Sequence, residues 1–166
     1  MDIYDFALQM ELDGERFYRD LAAKTQHSDL KIVLEGLADD EQRHYQIIEQ
    51  AKNQTLHNID ANPSLDQVKN VFSGNKESFL LNKESVTKLK YEQIDVYRAA
   101  FVKEQESVEL YKKLAGAATT PEEKILCEKL MHEEEKHVEV LDDIIEMLNH
   151  VNDWVEAAEF NHKKPF

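Results

Sequence analysis

Two four-residue stretches, EQRH at Glu41–His44 and EEKH at Glu134–His137, share the pattern Glu-x-x-His. On a helix, residues three apart lie on one face, adjacent along the axis. Each stretch therefore sets a carboxylate beside an imidazole, a mixed oxygen and nitrogen donor set suited to iron or manganese rather than to a thiolate-type site. One such pair carries little weight in a chain with 34 acidic residues. A lone histidine on a core face is more often a hydrogen-bonded core residue than a ligand. The weight comes from repetition and from what surrounds the two pairs.

Both stretches belong to a repeat. ALQMELDGERFYRDLA (Ala7–Ala22) aligns with AFVKEQESVELYKKLA (Ala100–Ala115), so that Ala7, Glu11, Tyr18, Leu21 and Ala22 recur as Ala100, Glu104, Tyr111, Leu114 and Ala115. LADDEQRHYQII (Leu37–Ile48) aligns with LMHEEEKHVEVL (Leu130–Leu141) in the same way. Glu11 to Glu104, Glu41 to Glu134, His44 to His137 and Tyr4 to Tyr97 all span 93 residues. Two blocks that share one offset are copies of one helical hairpin.

The elements that must position these residues are helices. Four glycines and three prolines in 166 residues leave few breaks, and a third of the chain is charged. A first helix is predicted from about Asp2 to Thr25, and a second from a cap at Ser28 or Asp29 to about Ala51. A third lies within about Ser85–Ala117. The fourth opens with Thr120 as cap and Pro121 at the first helical position, and runs to about Leu148. Short links make each hairpin antiparallel. Residues 53–84 are too long for a turn and form a crossover, with a short helix at Ser64–Phe72. Residues 150–166 follow as a short helix or tail, where Trp154 and Phe160 cover the bundle or a subunit contact. The whole chain reads as one all-α domain: a ferritin-like antiparallel four-helix bundle with a long crossover between its second and third helices.

Heptad phasing places the candidate ligands on the seams of that bundle. The stripes are Tyr4, Ala7, Glu11, Gly14, Tyr18, Leu21, then Leu30, Leu34, Leu37, Glu41, His44, Ile48, Ala51. The second hairpin gives Tyr97, Ala100, Glu104, Ser107, Tyr111, Leu114, then Cys127, Leu130, Glu134, His137, Leu141, Ile144, Leu148. Four glutamates and two histidines thus interrupt apolar stripes near mid-helix. Uncompensated, each buried carboxylate costs on the order of several kcal/mol, and two divalent cations balance four of them. The pattern matches a known template: one Glu from each of two helices plus Glu-x-x-His from each of the other two builds a di-iron or di-manganese carboxylate site. By the symmetry of the repeat, Glu11 and His44 would bind one metal and Glu104 and His137 the other. Glu41 and Glu134 would bridge, and would shift as the metals change charge, with Glu104 the alternative bridge.

ELDGERFYRDLA with EQRH, and EQESVELYKKLA with EEKH, resemble the two halves of the rubrerythrin-like branch of the ferritin-like superfamily. The resemblance covers both hairpins and all six ligand positions. It implies a four-helix di-iron bundle, usually homo-oligomeric and here expected as a homodimer. It also implies iron that reduces peroxide or reacts, as ferrous iron, with oxygen or peroxide in oxidative-stress defence. Two features depart from rubrerythrins proper. Cys127 is the only cysteine, so the four-cysteine rubredoxin domain is missing and the electron donor must be a separate protein, such as a rubredoxin. Ser107 stands where rubrerythrins carry an extra ligand glutamate one turn after the third-helix ligand, and Glu106 is one residue off that face. A symmetric six-ligand centre is expected instead.

Around the ligands, Gly14 and Ser107 sit one turn from Glu11 and Glu104. They either leave a pocket for oxygen or peroxide or allow close helix packing. Tyr18 and Tyr111, two turns away, either donate hydrogen bonds to ligand carboxylates or pack as core. Cys127 takes the place of Leu34 and reads as a buried small hydrophobe. His57, His132, His150 and His162 read as surface residues.

The formal charge of −14 excludes nucleic acid and anionic membrane as partners, since phosphate binding needs clustered Lys and Arg. With no run of about 18 apolar residues, no membrane span is expected. An acidic N-terminus without a basic signal region and a single cysteine point to the cytoplasm. Two functions fit: a di-iron oxidoreductase acting on hydrogen peroxide or oxygen with an external electron donor, or a non-catalytic protein that binds, stores or buffers iron or manganese.

Overall fold

The computed structural model describes residues 3–53 and 92–163, with side chains through Trp154. Four helices fill that span: α1 (Ile3–Lys24), α2 (Ser28–Lys52), α3 (Ile94–Ala117) and α4 (Pro121–Lys163). The predicted crossover, including the short helix at 64–72, lies outside the described residues, as does His57.

Side-chain pairs fix the topology. α1 packs most extensively on α2, and α3 on α4. Across the hairpins, Tyr18 and Glu11 of α1 bond Glu104 and Tyr111 of α3, respectively. Partners that advance along one helix retreat along the other, so α1 and α3 run antiparallel. The same holds for α2 and α4, where Glu41 meets His137 and His44 meets Glu134. With every adjacent pair antiparallel, α2 and α3 point the same way, and a connection must traverse the bundle's length. This is the ferritin-like arrangement.

The stripes predicted from heptad phasing are the buried faces. Every named stripe position of α3 and α4 is buried, and in α1 and α2 only Tyr4, Gly14, Leu21 and Ala51 are partly exposed. The apolar core divides in two. One cluster joins Leu30, Leu34, Leu37, Tyr97, Leu141, Ile144 and Leu148. The other joins Ala7, Ile48, Tyr111, Leu114, Cys127 and Leu130. Burying side chains of this size stabilises the bundle by about 1.5–3 kcal/mol each, enough in sum to carry a polar layer between the two clusters.

Two helix ends differ from expectation. Neither Ser28 nor Asp29 caps α2; His27 does, its Nδ1 accepting from the Leu30 amide at 3.2 Å. An imidazole acceptor satisfies the first-turn amide as a hydroxyl would, and Asp29 then sits in the first turn, where the helix dipole favours its charge. At the other end of the chain, α4 does not stop near Leu148 but runs on to Lys163, 43 residues in all. No Gly or Pro interrupts 149–163, the first breaker is Pro165, and Val151 is fully buried against the core. Trp154 is 48% exposed and does not seal the bundle; the side chain of Phe160 lies outside the description. The start of α4 is as predicted, with the Thr120 hydroxyl accepting from the Glu123 amide at 3.2 Å. No helix among the described residues is long and apolar enough to cross a membrane.

Candidate metal centre

The six residues singled out by the repeat converge in the polar layer, and all six are buried. They form two overlapping groups of four. Glu11, Glu41, His44 and Glu134 each offer an atom within 4.8 Å of the others, and so do Glu41, Glu104, Glu134 and His137. Glu41 and Glu134 belong to both groups. α1 and α3 each contribute one glutamate, while α2 and α4 each contribute a Glu-x-x-His pair.

Both histidines turn Nδ1 toward the carboxylates. His44 Nδ1 lies 2.9 Å from Glu134 Oε1 and 3.5 Å from Glu11 Oε2. His137 Nδ1 lies 3.1 Å from Glu41 Oε1 and 3.3 Å from Glu104 Oε1. The rings stack at 5.7 Å. Their outer nitrogens meet two carboxylates that the sequence reading missed. His137 Nε2 is 3.0 Å from Asp40 Oδ2, and His44 Nε2 is 3.7 Å from Glu133 Oε1. Arg43 bonds Glu133 and lies 3.9 Å from Asp40. Asp40 and Glu133 are also 93 residues apart. The repeat therefore carried the signal, which was lost among neighbouring acids.

Tyr18 donates to Glu104 Oε1 at 2.5 Å, and Tyr111 donates to Glu11 Oε1. Each tyrosine reaches the carboxylate of the opposite half. Burial and the surrounding carboxylates, Glu104 at Tyr18 and Glu11 at Tyr111, raise both phenols well above their ordinary range, so both stay protonated donors.

Burial by itself raises a carboxyl and lowers an imidazole. At Glu11 burial is outweighed by the hydrogen bond with Glu41 and the charge of His44, and the carboxyl titrates below its usual range. At Glu104 it is outweighed by the charge of His137 and a bond with Glu134, with the same result. Glu41 and Glu134 stand well above the usual range, through burial first and then repulsion from Glu11 and Glu104, to which Glu134 adds at Glu41. His44 and His137 are raised despite burial, by Glu11 and Glu104 respectively. In the metal-free chain, protons on Glu41, Glu134 and both imidazoles thus neutralise the cluster. Two divalent cations would displace those four protons without changing its net charge.

The donors fit metal. Glu11 Oε2 and Glu134 Oε2 are buried without a hydrogen-bond partner, a state that is costly for a carboxylate unless a cation takes the lone pairs. Oxygen and imidazole nitrogen are the donors iron and manganese accept.

A cavity of about 700 Å³ opens between α1 and α3 and reaches this layer. Gly14 and Ser107 both line it, as do Glu41, Glu104 and Tyr18. A Cβ at Gly14 would stand 3.2 Å from Glu41 Cδ, so the glycine leaves room for that carboxylate. Ser107 bonds the Lys103 carbonyl at 3.1 Å and Met10 Sδ at 3.3 Å. Cys127 is buried, its thiol pushed up to about 11 by burial and then by Glu123 and Glu128, and it packs as an apolar residue. His132 and His150 are exposed; the side chain of His162 lies outside the description.

A four-helix bundle with four glutamates and two histidines buried between its core clusters defines the ferritin-like class of carboxylate proteins. Within it, the family model for rubrerythrin matches residues 2–145, and the chain belongs to that family. Neither the curated proteins nor the solved structures give a match.

Proposed function

We propose that this chain is a di-iron carboxylate oxidoreductase that reduces hydrogen peroxide, or reacts with oxygen, using electrons from a separate donor protein such as a rubredoxin. The observation that carries this reading is the pair of four-donor groups sharing Glu41 and Glu134. Glu11 and His44 would hold one ion and Glu104 and His137 the other, with both shared glutamates reaching each. Manganese or a mixed pair would suit the same donors. Bound iron would supply the two electrons and the Lewis acidity that peroxide reduction needs. Hydrogen peroxide takes up two electrons and two protons, its O–O bond breaks, and two waters leave.

The chain's own residues set the conditions for that step. Asp40 accepts from the outer nitrogen of His137, and Glu133 faces that of His44 as a nearby charge at 3.7 Å, which favours rings that present Nδ1 inward. Tyr18 and Tyr111 each hold one oxygen of a terminal glutamate. Gly14 gives the Glu41 carboxylate room to move as charge changes. The apolar clusters close the layer along the bundle, and the cavity between α1 and α3 is an opening to it. The working unit is proposed to be a homodimer.

Ser107 favours a second reading, in which metal is held or buffered without turnover. The position that carries a seventh carboxylate in rubrerythrins proper holds a hydroxyl bonded to its own helix. One experiment separates the two. The chain is loaded anaerobically with ferrous iron, given one equivalent of hydrogen peroxide, and then re-reduced through several rounds while near-ultraviolet absorbance is followed. Repeated stoichiometric oxidation supports the oxidoreductase. Oxidation that cannot be cycled supports holding alone, and absence of any peroxide response contradicts the redox reading.

A further inference from the structure

The cavity between α1 and α3 is far larger than the small oxidants proposed above require. Hydrogen peroxide occupies the space of about two waters, roughly 60 Å³ at about 30 Å³ each. A volume of about 700 Å³ falls within the range of roughly 300–1,000 Å³ that encloses organic ligands. Its walls suit such a ligand. Phe6, Met10, Phe17, Ala99 and Ala100 are apolar, and polar groups gather at the rim, where Lys103 pairs with Glu106 at 3.3 Å and both are largely exposed.

The cavity also breaks the symmetry of the repeat. Phe6 and Ala99, Met10 and Lys103, and Gly14 and Ser107 are repeat pairs that line it together. The layer residues it touches, however, are Glu41, Glu104 and Tyr18, without their counterparts Glu134, Glu11 and Tyr111. Gly14 explains the difference, because no side chain stands between the cavity and Glu41, whereas the Ser107 side chain is bonded across to Met10.

We propose that this cavity binds an organic hydroperoxide, its apolar body among Phe6, Met10, Phe17 and Ala99 and its peroxide end at Glu41 and Glu104. The inference rests on the peroxide-reducing function proposed above and names its substrate class. R–O–O–H takes two electrons and two protons, the O–O bond breaks, and R–OH and water leave; the electrons are those of the same external donor. The Glu104 side of the centre is the side the substrate meets.

The test uses the full chain loaded with zinc, which is diamagnetic and redox-inert, titrated with cumyl alcohol, the product of cumene hydroperoxide. Saturable NMR shifts at Phe6, Met10, Phe17 and Ala99 are expected, weakened about tenfold in Ala99→Trp, an exposed position on the cavity wall. In the iron-loaded chain, the ratio of kcat/KM for cumene hydroperoxide to that for hydrogen peroxide should fall about tenfold in the same variant. No saturable shift, as would follow if a second copy covered the face, overturns the proposal, as does an unchanged ratio. Hydrogen peroxide reduction without cumyl alcohol binding overturns this inference alone. A chain inert to both peroxides overturns the function beneath it, whatever the NMR result.

Discussion

The two hairpins present the same six donors in the same frame, yet they surround them differently. Asp40 meets the outer nitrogen of His137 at 3.0 Å, while its counterpart Glu133 stands 3.7 Å from His44 and is drawn to Arg43. Gly14 opens the layer to a cavity on one side; Ser107 fills the equivalent place. Leu34 of one apolar stripe becomes Cys127 in the other. The duplication thus preserves what a metal pair needs from symmetry, four carboxylates and two imidazoles. Access and hydrogen-bonded support have diverged. Two ions in such a frame would be inequivalent, the one beside His137 being better supported and nearer the cavity.

The largest expected effect comes from the carboxylates behind the histidines. Asp40→Asn should weaken metal binding by about 10- to 100-fold, the usual cost of losing such a partner. Glu133→Gln should fall near the lower end, because its contact with His44 is already long. Competition with a chelator would measure both, and equal losses would erase the inequivalence.

The next contrast is Gly14→Ala against Ser107→Ala. Alanine in place of helical glycine gains up to about 1 kcal/mol of backbone preference for the helix, against which the crowding of Glu41 is set. The alanine Cβ would crowd Glu41 at 3.2 Å, and displacing that shared carboxylate should slow peroxide reduction on the order of tenfold. Ser107→Ala loses one hydroxyl bond, within about 1 kcal/mol, and should slow the reaction less. Thermal melts and peroxide kinetics on the two variants test the pair; a larger rate loss at Ser107 would reverse the assignment of the open side.

The last contrast, at Cys127, lies outside the metal centre and leaves peroxide reduction unchanged. With its thiol raised from 9.0 to about 11, the reactive thiolate at pH 8 is depleted about 100-fold relative to an ordinary cysteine. Alkylation in the folded chain should be slower by at least that factor, and unfolding should abolish the difference. Fast labelling of the folded chain would mean that this core cluster is looser than its partner around Leu34.

Much of this was legible in the sequence, because a bundle writes its core at helical spacing and a duplication writes its site twice. Glu11, Glu41, His44, Glu104, Glu134 and His137 stand out because they are polar on otherwise apolar stripes. Asp40 and Glu133 do not, since an acidic residue next to a glutamate is commonplace in this chain; only the shared offset distinguished them. His27 displaced two better-known capping residues because its ring is buried at the hairpin turn, a tertiary fact. α4 runs past Leu148 because Asn149 and Asn152 weaken a helix without stopping it. The asymmetry of the cavity depends on one missing Cβ between packed helices, which no periodicity encodes.

The central claim is that one centre is assembled from both halves of the repeat. Anomalous diffraction from crystals of the iron-loaded chain tests it most directly. Two peaks per chain are expected, one beside Glu11 and His44 and one beside Glu104 and His137, each also in contact with Glu41 and Glu134. A single peak, or two peaks that do not share those glutamates, would contradict it.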